Sequence, residues 1–85
     1  MDISRDEQRV LHALAQGGHI LPLRDSRGRI EALELYNREG WRMPALPLAL
    51  FQKLRRRSTI ASTGGGPYRI TRRGLELVRS QFDNR

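Results

Sequence analysis

The fold of this 85-residue chain is decided by the stretch LPLALFQKLRRRSTIASTGGGPYRITRRGLELVRSQF, residues 46–82. Apolar residues recur at helical spacing at its start and predict a helix over about residues 46–57. The three glycines Gly64–Gly66 lie between two short strand-like runs, which predicts a hairpin over residues 58–71. Thr71 can cap a last helix, residues 72–82, and Gly74 inside that helix indicates a close approach of neighbouring backbone.

The first half of the chain predicts one helix and one further hairpin. Ser4 and Glu7 have the spacing of a capping box, so a helix over residues 4–16 should begin there. Two short apolar runs on either side of the turn at residues 25–28 predict a β-hairpin over about residues 19–36. Pro22 has no N–H to donate, which predicts that its strand lies at a sheet edge. Trp41 is predicted to fill the core of this small domain, together with two aromatic residues of the second half, Phe51 and Tyr68.

The positive charge of the chain is concentrated in its second half. Residues 46–85 contain nine Lys or Arg and two acidic residues, whereas residues 1–45 contain seven of each, and the whole chain carries +7. A charge distribution of this kind favours an anionic partner, nucleic acid above all, although a merely solvated surface has the same composition. The candidate binding residues are Lys53, Arg55, Arg56, Arg57, Arg69, Arg72 and Arg73.

Composition limits the other classes of function. The 85 residues are enough for one small domain, residues 1–85, and the absence of cysteine excludes disulfides and thiolate metal sites. The sequence shows neither a secretion signal nor an apolar run long enough to span a bilayer, so we expect a cytoplasmic protein without a membrane partner. His12 and His19 lack the spacing of a metal site, and no catalytic motif is present. We therefore expect no cofactor, no metal and no enzymatic activity.

The order helix, strand, glycine-rich tip, strand and then Y-x-I-T-x-x-G (residues 68–74) resembles the second half of a winged-helix domain. This resemblance implies a small α+β, winged-helix-like fold, in which the helix before the wing commonly enters the major groove of DNA. In this chain that helix would be residues 47–57 and the wing residues 58–71. The first half departs from the pattern, because a hairpin is predicted where the usual second helix would lie.

A second resemblance covers nearly the whole chain. Its motifs are S-R-x-E-Q-x-x-L-H-x-L-A-x-G (residues 4–17), R-D-S-x-G-R (24–29), R-E-G (38–40), F-x-K-L (51–54), P-Y-R-I (67–70) and D-N-R (83–85). In this order they are similar to the YjhX-like family of small bacterial proteins. The family is described as the toxin of a toxin–antitoxin pair that inhibits DNA topoisomerase I. The resemblance therefore implies two kinds of partner, DNA topoisomerase I with or without its DNA, and a cognate antitoxin.

Two other functions fit the same residues. A winged-helix transcriptional regulator would read duplex DNA through the same basic helix. An RNA-cleaving toxin would require the two histidines, and this hypothesis rests only on their presence in a small basic chain. The inhibitor of topoisomerase I remains the leading hypothesis, with the basic helix and wing covering DNA phosphates or an acidic enzyme surface.

Overall fold

The computed structural model describes residues 3–83, and side chains as far as Arg79. The elements in chain order are α1 (Arg5–Ala15), β1 (His19–Arg24), β2 (Ile30–Tyr36), α2 (Leu48–Arg56), β3 (Ile60–Ser62), β4 (Tyr68–Ile70) and α3 (Arg72–Asp83). Three helices and a four-stranded antiparallel sheet give an α+β fold that is compatible with a small winged-helix-like domain. The predicted elements are confirmed, with α2 two residues shorter at its start because Pro47 is extended and serves as the N-cap.

The sheet joins the two hairpins of the chain. The strand order is β2-β1-β4-β3, so the first hairpin and the wing share one sheet through a short β1–β4 contact, Ile20 opposite Tyr68. The prediction that the strand of Pro22 lies at an edge is wrong, because β1 has a partner on both sides. The proline is tolerated because the β1–β4 pairing is confined to Ile20, two residues before it.

The core lies between the helices and one face of the sheet. Ile20, Leu35 and Tyr68 are paired across the strands, share that face and are all buried. Phe51 of α2 is fully buried and meets the Tyr68 ring edge-on, with ring centroids 4.9 Å apart. The prediction that Phe51 and Tyr68 are core residues is therefore confirmed. All three helices contribute further core side chains, among them Val10, Leu11 and Leu14 of α1, Leu54 of α2 and Val78 of α3.

Trp41 is not a core residue, contrary to the prediction from composition. Its residue surface is 73% exposed, in a tight turn that links β2 to the segment before α2. The side-chain oxygen of Asn37 accepts a hydrogen bond from the Trp41 N–H (2.9 Å), and Gly40 adopts a positive φ of 90°. Local turn chemistry fixes this segment, and the turn places the indole outside the core.

The helix ends follow the local sequence. Ser4 caps α1 through a complete capping box with Glu7. At the C-terminal end of α2, Ser58 has a φ of 59° and the Thr59 N–H donates a hydrogen bond to the Leu54 carbonyl (3.1 Å). This arrangement provides hydrogen bonds for the last carbonyls of the helix. This turn directs the chain from α2 straight into the wing.

Candidate cationic surface

Helix α2 carries the centre of the predicted binding surface. Its apolar stripe, Phe51 and Leu54, is fully buried, which leaves Gln52, Arg55 and Arg56 on the exposed side. The helix has no acidic residue, and basic residues occupy its last turn, where the negative end of the helix dipole favours them. The local sequence thus places cations on the exposed side without a structural conflict.

Arg55 is held in place by two aromatic rings. Its guanidinium carbon lies 5.7 Å from the centroid of Phe51 and 5.7 Å from that of Tyr68. Both distances are within the range of cation–π attraction, which restricts the side chain without neutralising its charge. Arg55 and Arg56 line a shallow depression beside Gln52. These two arginines are therefore adjacent, exposed and available to an anion.

Lys53 and Arg57 have a different role, because both face the carboxylate of Glu7 on α1. Glu7 is fully buried, with Lys53 Nζ 3.3 Å from Oε1 and Arg57 Nε 3.6 Å from Oε2. Burial by itself would raise the pKa of the Glu7 carboxyl. Hydrogen bonds from Ser4 and Lys53, with the charge of Arg57, outweigh it and hold the pKa below its usual value. Lys53 and Arg57, two of the predicted binding residues, therefore pair with a buried acid instead of pointing only to solvent.

The remaining predicted residues lie on other parts of the fold. Arg73 donates from Nε to the Arg57 carbonyl (2.9 Å), so it joins α3 to the end of α2. Arg72 is exposed in the first turn of α3. Arg69 is exposed in β4 between Tyr68 and Ile70, and alternation along a strand directs it to the sheet face opposite the core. The seven predicted residues therefore do not form one uniform surface.

Two arginines that the sequence prediction omitted complete the surface around Arg55. Arg24 and Arg29, from the first hairpin, line a groove of about 370 Å³ together with Arg55 of α2. The charge count treated the first half as neutral, so it gave no reason to select them. The only available signal was the predicted turn at residues 25–28, which shows that Arg24 and Arg29 flank one hairpin tip. It does not show that this tip lies against α2.

The two histidines lie in different settings. His12 is exposed on α1, whereas the ring of His19 in β1 stacks on Tyr36, with ring centroids 5.2 Å apart. His19 and Tyr36 are also cross-strand partners in the first hairpin. Packing against Tyr36 is therefore enough to explain the position of the His19 ring.

A basic helix beside a short wing, with Arg55 set against two aromatic rings, makes the chain a small α+β domain of winged-helix-like form. Comparison with known proteins then gives the family. The model of a family described as "Putative toxin of bacterial toxin-antitoxin pair", the YjhX toxin family, matches residues 1–85. The chain belongs to this family.

Similar proteins of the same length occur in several bacteria. The chain is 64% identical to a UPF0386 protein of Chelativorans sp. (strain BNC1) over 85 residues, the whole of both chains. It is 63% identical to a UPF0386 protein of Hyphomonas neptunium over 84 residues, 99% of each. It is 59% identical to the UPF0386 protein Atu1321 of Agrobacterium fabrum, again over the full length of both. No solved structure matches the chain.

Within residues 3–83, every helix is too short or too polar to span a bilayer.

Proposed function

We propose that this protein is a non-enzymatic toxin that inhibits DNA topoisomerase I by occupying the enzyme, its DNA, or both, through the exposed arginines of α2. Inhibition by occlusion requires a surface that binds tightly and no chemistry on a substrate. The observation that carries the proposal is the pair Arg55 and Arg56, adjacent and exposed on a helix without acidic residues. Membership of a family of bacterial toxins supports the proposal and is compatible with action in the bacterial cytoplasm.

The geometry supports an anionic target for physical reasons. Arg55 is already oriented by Phe51 and Tyr68, so little side-chain freedom remains to be lost when it binds. Guanidinium groups form paired hydrogen bonds with phosphates and carboxylates, the two anions that DNA and an acidic protein surface present. The wing follows α2 directly, but its Arg69 lies on the sheet face opposite the core, so the proposal rests on Arg55 and Arg56.

The test is charge reversal of Arg55 and Arg56 together. A hydrogen bond to a charged group contributes about 1.5 kcal/mol or more, so loss of two should weaken inhibition on the order of 100-fold. Relaxation of supercoiled plasmid by purified topoisomerase I, titrated with the protein, measures this. Arg57 is left unchanged because its reversal would place a second carboxylate beside buried Glu7.

The matched control reverses Arg5 and Arg9, two exposed arginines of α1, and changes the net charge by the same amount. It should inhibit like wild type. Full inhibition by a folded Arg55→Glu, Arg56→Glu variant would contradict the proposal, and so would equal loss in the control, since that would make net charge alone responsible.

A second assay separates the two targets. Binding of the protein to purified, nuclease-treated topoisomerase I is measured first. Binding of the protein to short duplex DNA, without the enzyme, is then measured at increasing salt. If DNA phosphates are the contact, each neutralised phosphate adds about 0.9 to the slope of log affinity against log salt, and the double variant has a correspondingly smaller slope. Selective binding to one promoter sequence, without inhibition of the enzyme, would instead favour the transcriptional regulator.

A further inference from the structure

The groove between the first hairpin and α2 differs from a simple phosphate-binding surface, because it has an apolar floor. Its rim carries Arg24 and Arg29 on one side and Arg55 on the other. Ile30, Leu48 and Phe51 line it as well, and because Phe51 is fully buried, Leu48, which is 41% exposed, is the main apolar contact for a ligand. A ligand made only of phosphate and sugar would leave this apolar surface without a partner.

Hydrogen bonds within the turn hold the wall formed by the hairpin. Asp25 Oδ1 accepts hydrogen bonds from the N–H groups of Arg27 (2.8 Å) and Arg29 (3.0 Å), which closes the turn. Arg24 Nη1 donates to the Gly28 carbonyl (2.8 Å) and braces the same turn from the side of the groove. The opposite wall is a helix whose Arg55 is restricted by two aromatic rings. The groove is therefore preformed, and a ligand need not order it.

Charge and shape together select the occupant. The residues of the described chain that line the groove include three arginines and no acid. A protein segment with carboxylates along its sides and apolar side chains at its centre can pair with the arginines and also cover the apolar side chains of the groove. Duplex DNA can pair with the arginines only. The family is described as the toxin of a toxin-antitoxin pair, so the cognate antitoxin is the partner to which we assign such a segment.

We propose that the antitoxin binds this protein by inserting an acidic segment with apolar side chains into the groove between the first hairpin and α2. Leu48 provides the apolar contact, and Arg24, Arg29 and Arg55 pair with carboxylates of the segment. Occupation of the groove covers Arg55, so antitoxin and target compete for one side chain. The docking itself rests on the groove and the family, and only this competition rests on the proposed function.

Two exposed leucines make a matched test. Leu48 lies in the groove and is 41% exposed, whereas Leu23, on β1, lies outside the groove and is 40% exposed. Leu48→Glu puts an acid in the first turn of α2, which the helix dipole favours, so the variant should fold. Leu23→Glu makes the same chemical change elsewhere. Arg29→Glu is a second groove variant in case Leu48→Glu lowers the melting temperature.

The probe is a fluorescein-labelled peptide of alternating leucine and glutamate, compared with an all-glutamate peptide of equal length, by fluorescence anisotropy. The leucine-containing peptide should bind more tightly, and Leu48→Glu or Arg29→Glu should weaken it at least about tenfold. Leu23→Glu should change binding less than about twofold. Equal affinity of the two peptides, or equal loss in the Leu23 and Leu48 variants, would overturn docking in the groove.

The antitoxin itself is tested by co-expression with each variant and measurement of the complex by size-exclusion chromatography. Leu48→Glu should lose the complex and Leu23→Glu should keep it; a complex retained by folded Leu48→Glu and Arg29→Glu variants overturns the proposal. Plasmid relaxation then tests competition separately. Peptide that binds without restoring relaxation would refute the competition and leave the docking intact, while absence of inhibition by wild type would refute the proposed function only.

Discussion

Gly74→Ala should destabilise the protein, although the same change in an ordinary helix stabilises it. Gly74 lies in the first turn of α3, against the backbone between α2 and β3 and the side chain of Ile70 in β4. A Cβ at this position would lie 2.5 Å from the Thr59 carbonyl oxygen and 2.6 Å from Ile70 Cγ1. Carbon and oxygen pack at about 3.3 Å or more, so the helix and the Thr59 backbone would have to separate by roughly 0.8 Å.

The size of the effect follows from three terms. Overpacking of this kind costs about 1–3 kcal/mol, and the Thr71 N–H bond to the same Thr59 carbonyl (3.0 Å) would weaken at a cost of about 1 kcal/mol. The better helix propensity of alanine returns about 1 kcal/mol. The net loss is therefore about 1–3 kcal/mol, which lowers the melting temperature by at least about 4 °C in a domain of this size.

Thermal unfolding followed by circular dichroism measures the change. Glu76→Ala, an exposed substitution in the same helix, is the control and should stay within about 0.5 kcal/mol of wild type. A melting temperature of Gly74→Ala above that of wild type would refute the close packing of α3 on Thr59, because it is the result that helix propensity alone would produce.

Two further predictions concern a buried acid and an exposed aromatic residue. Because the pKa of the Glu7 carboxyl is lowered in the folded state, its charge stabilises the fold above the ordinary glutamate pKa, and this contribution is lost as the pH falls through the lowered value. The difference in free energy of unfolding between wild type and Glu7→Gln, measured in urea, should therefore be larger at neutral pH than in acid, and a constant difference would contradict the ion pairs. Trp41→Ala should change the free energy of unfolding by less than about 0.5 kcal/mol, since the residue is 73% exposed; a loss of several kcal/mol in the same titration would mean that the indole is packed after all.

Features that depend on neighbours in sequence were predictable. The capping box of Ser4 and Glu7, the two hairpins and the cap of α3 by Thr71, whose Oγ1 accepts from the Gly74 N–H (3.1 Å), are all present. Each depends on side chains within a few residues, so the sequence contains all the interacting groups. The close approach at Gly74 was also predicted from its place in a helix, but only the structure shows that Thr59 is the neighbour.

Features that depend on distant neighbours were predicted less well. Size and apolar character predict Trp41 in the core, yet the turn that carries it places the ring outside. Glu7 was interpreted as a cap, and its ion pairs with Lys53 and Arg57 arise only because α1 and α2 meet. Those contacts direct two cations toward one buried carboxylate, so the surface that charge counting assigns to a partner is less positive than the count indicates.

The sequence by itself determined the elements, their order and the strongly basic character of α2, because periodicity, turn residues and charge are properties of short segments. Tertiary structure alone decided which cations are available and which are neutralised, and it brought Arg24 and Arg29 of the first hairpin beside Arg55. The physical reason is that charge–charge and apolar contacts act over a few ångströms in space, whatever the separation along the chain.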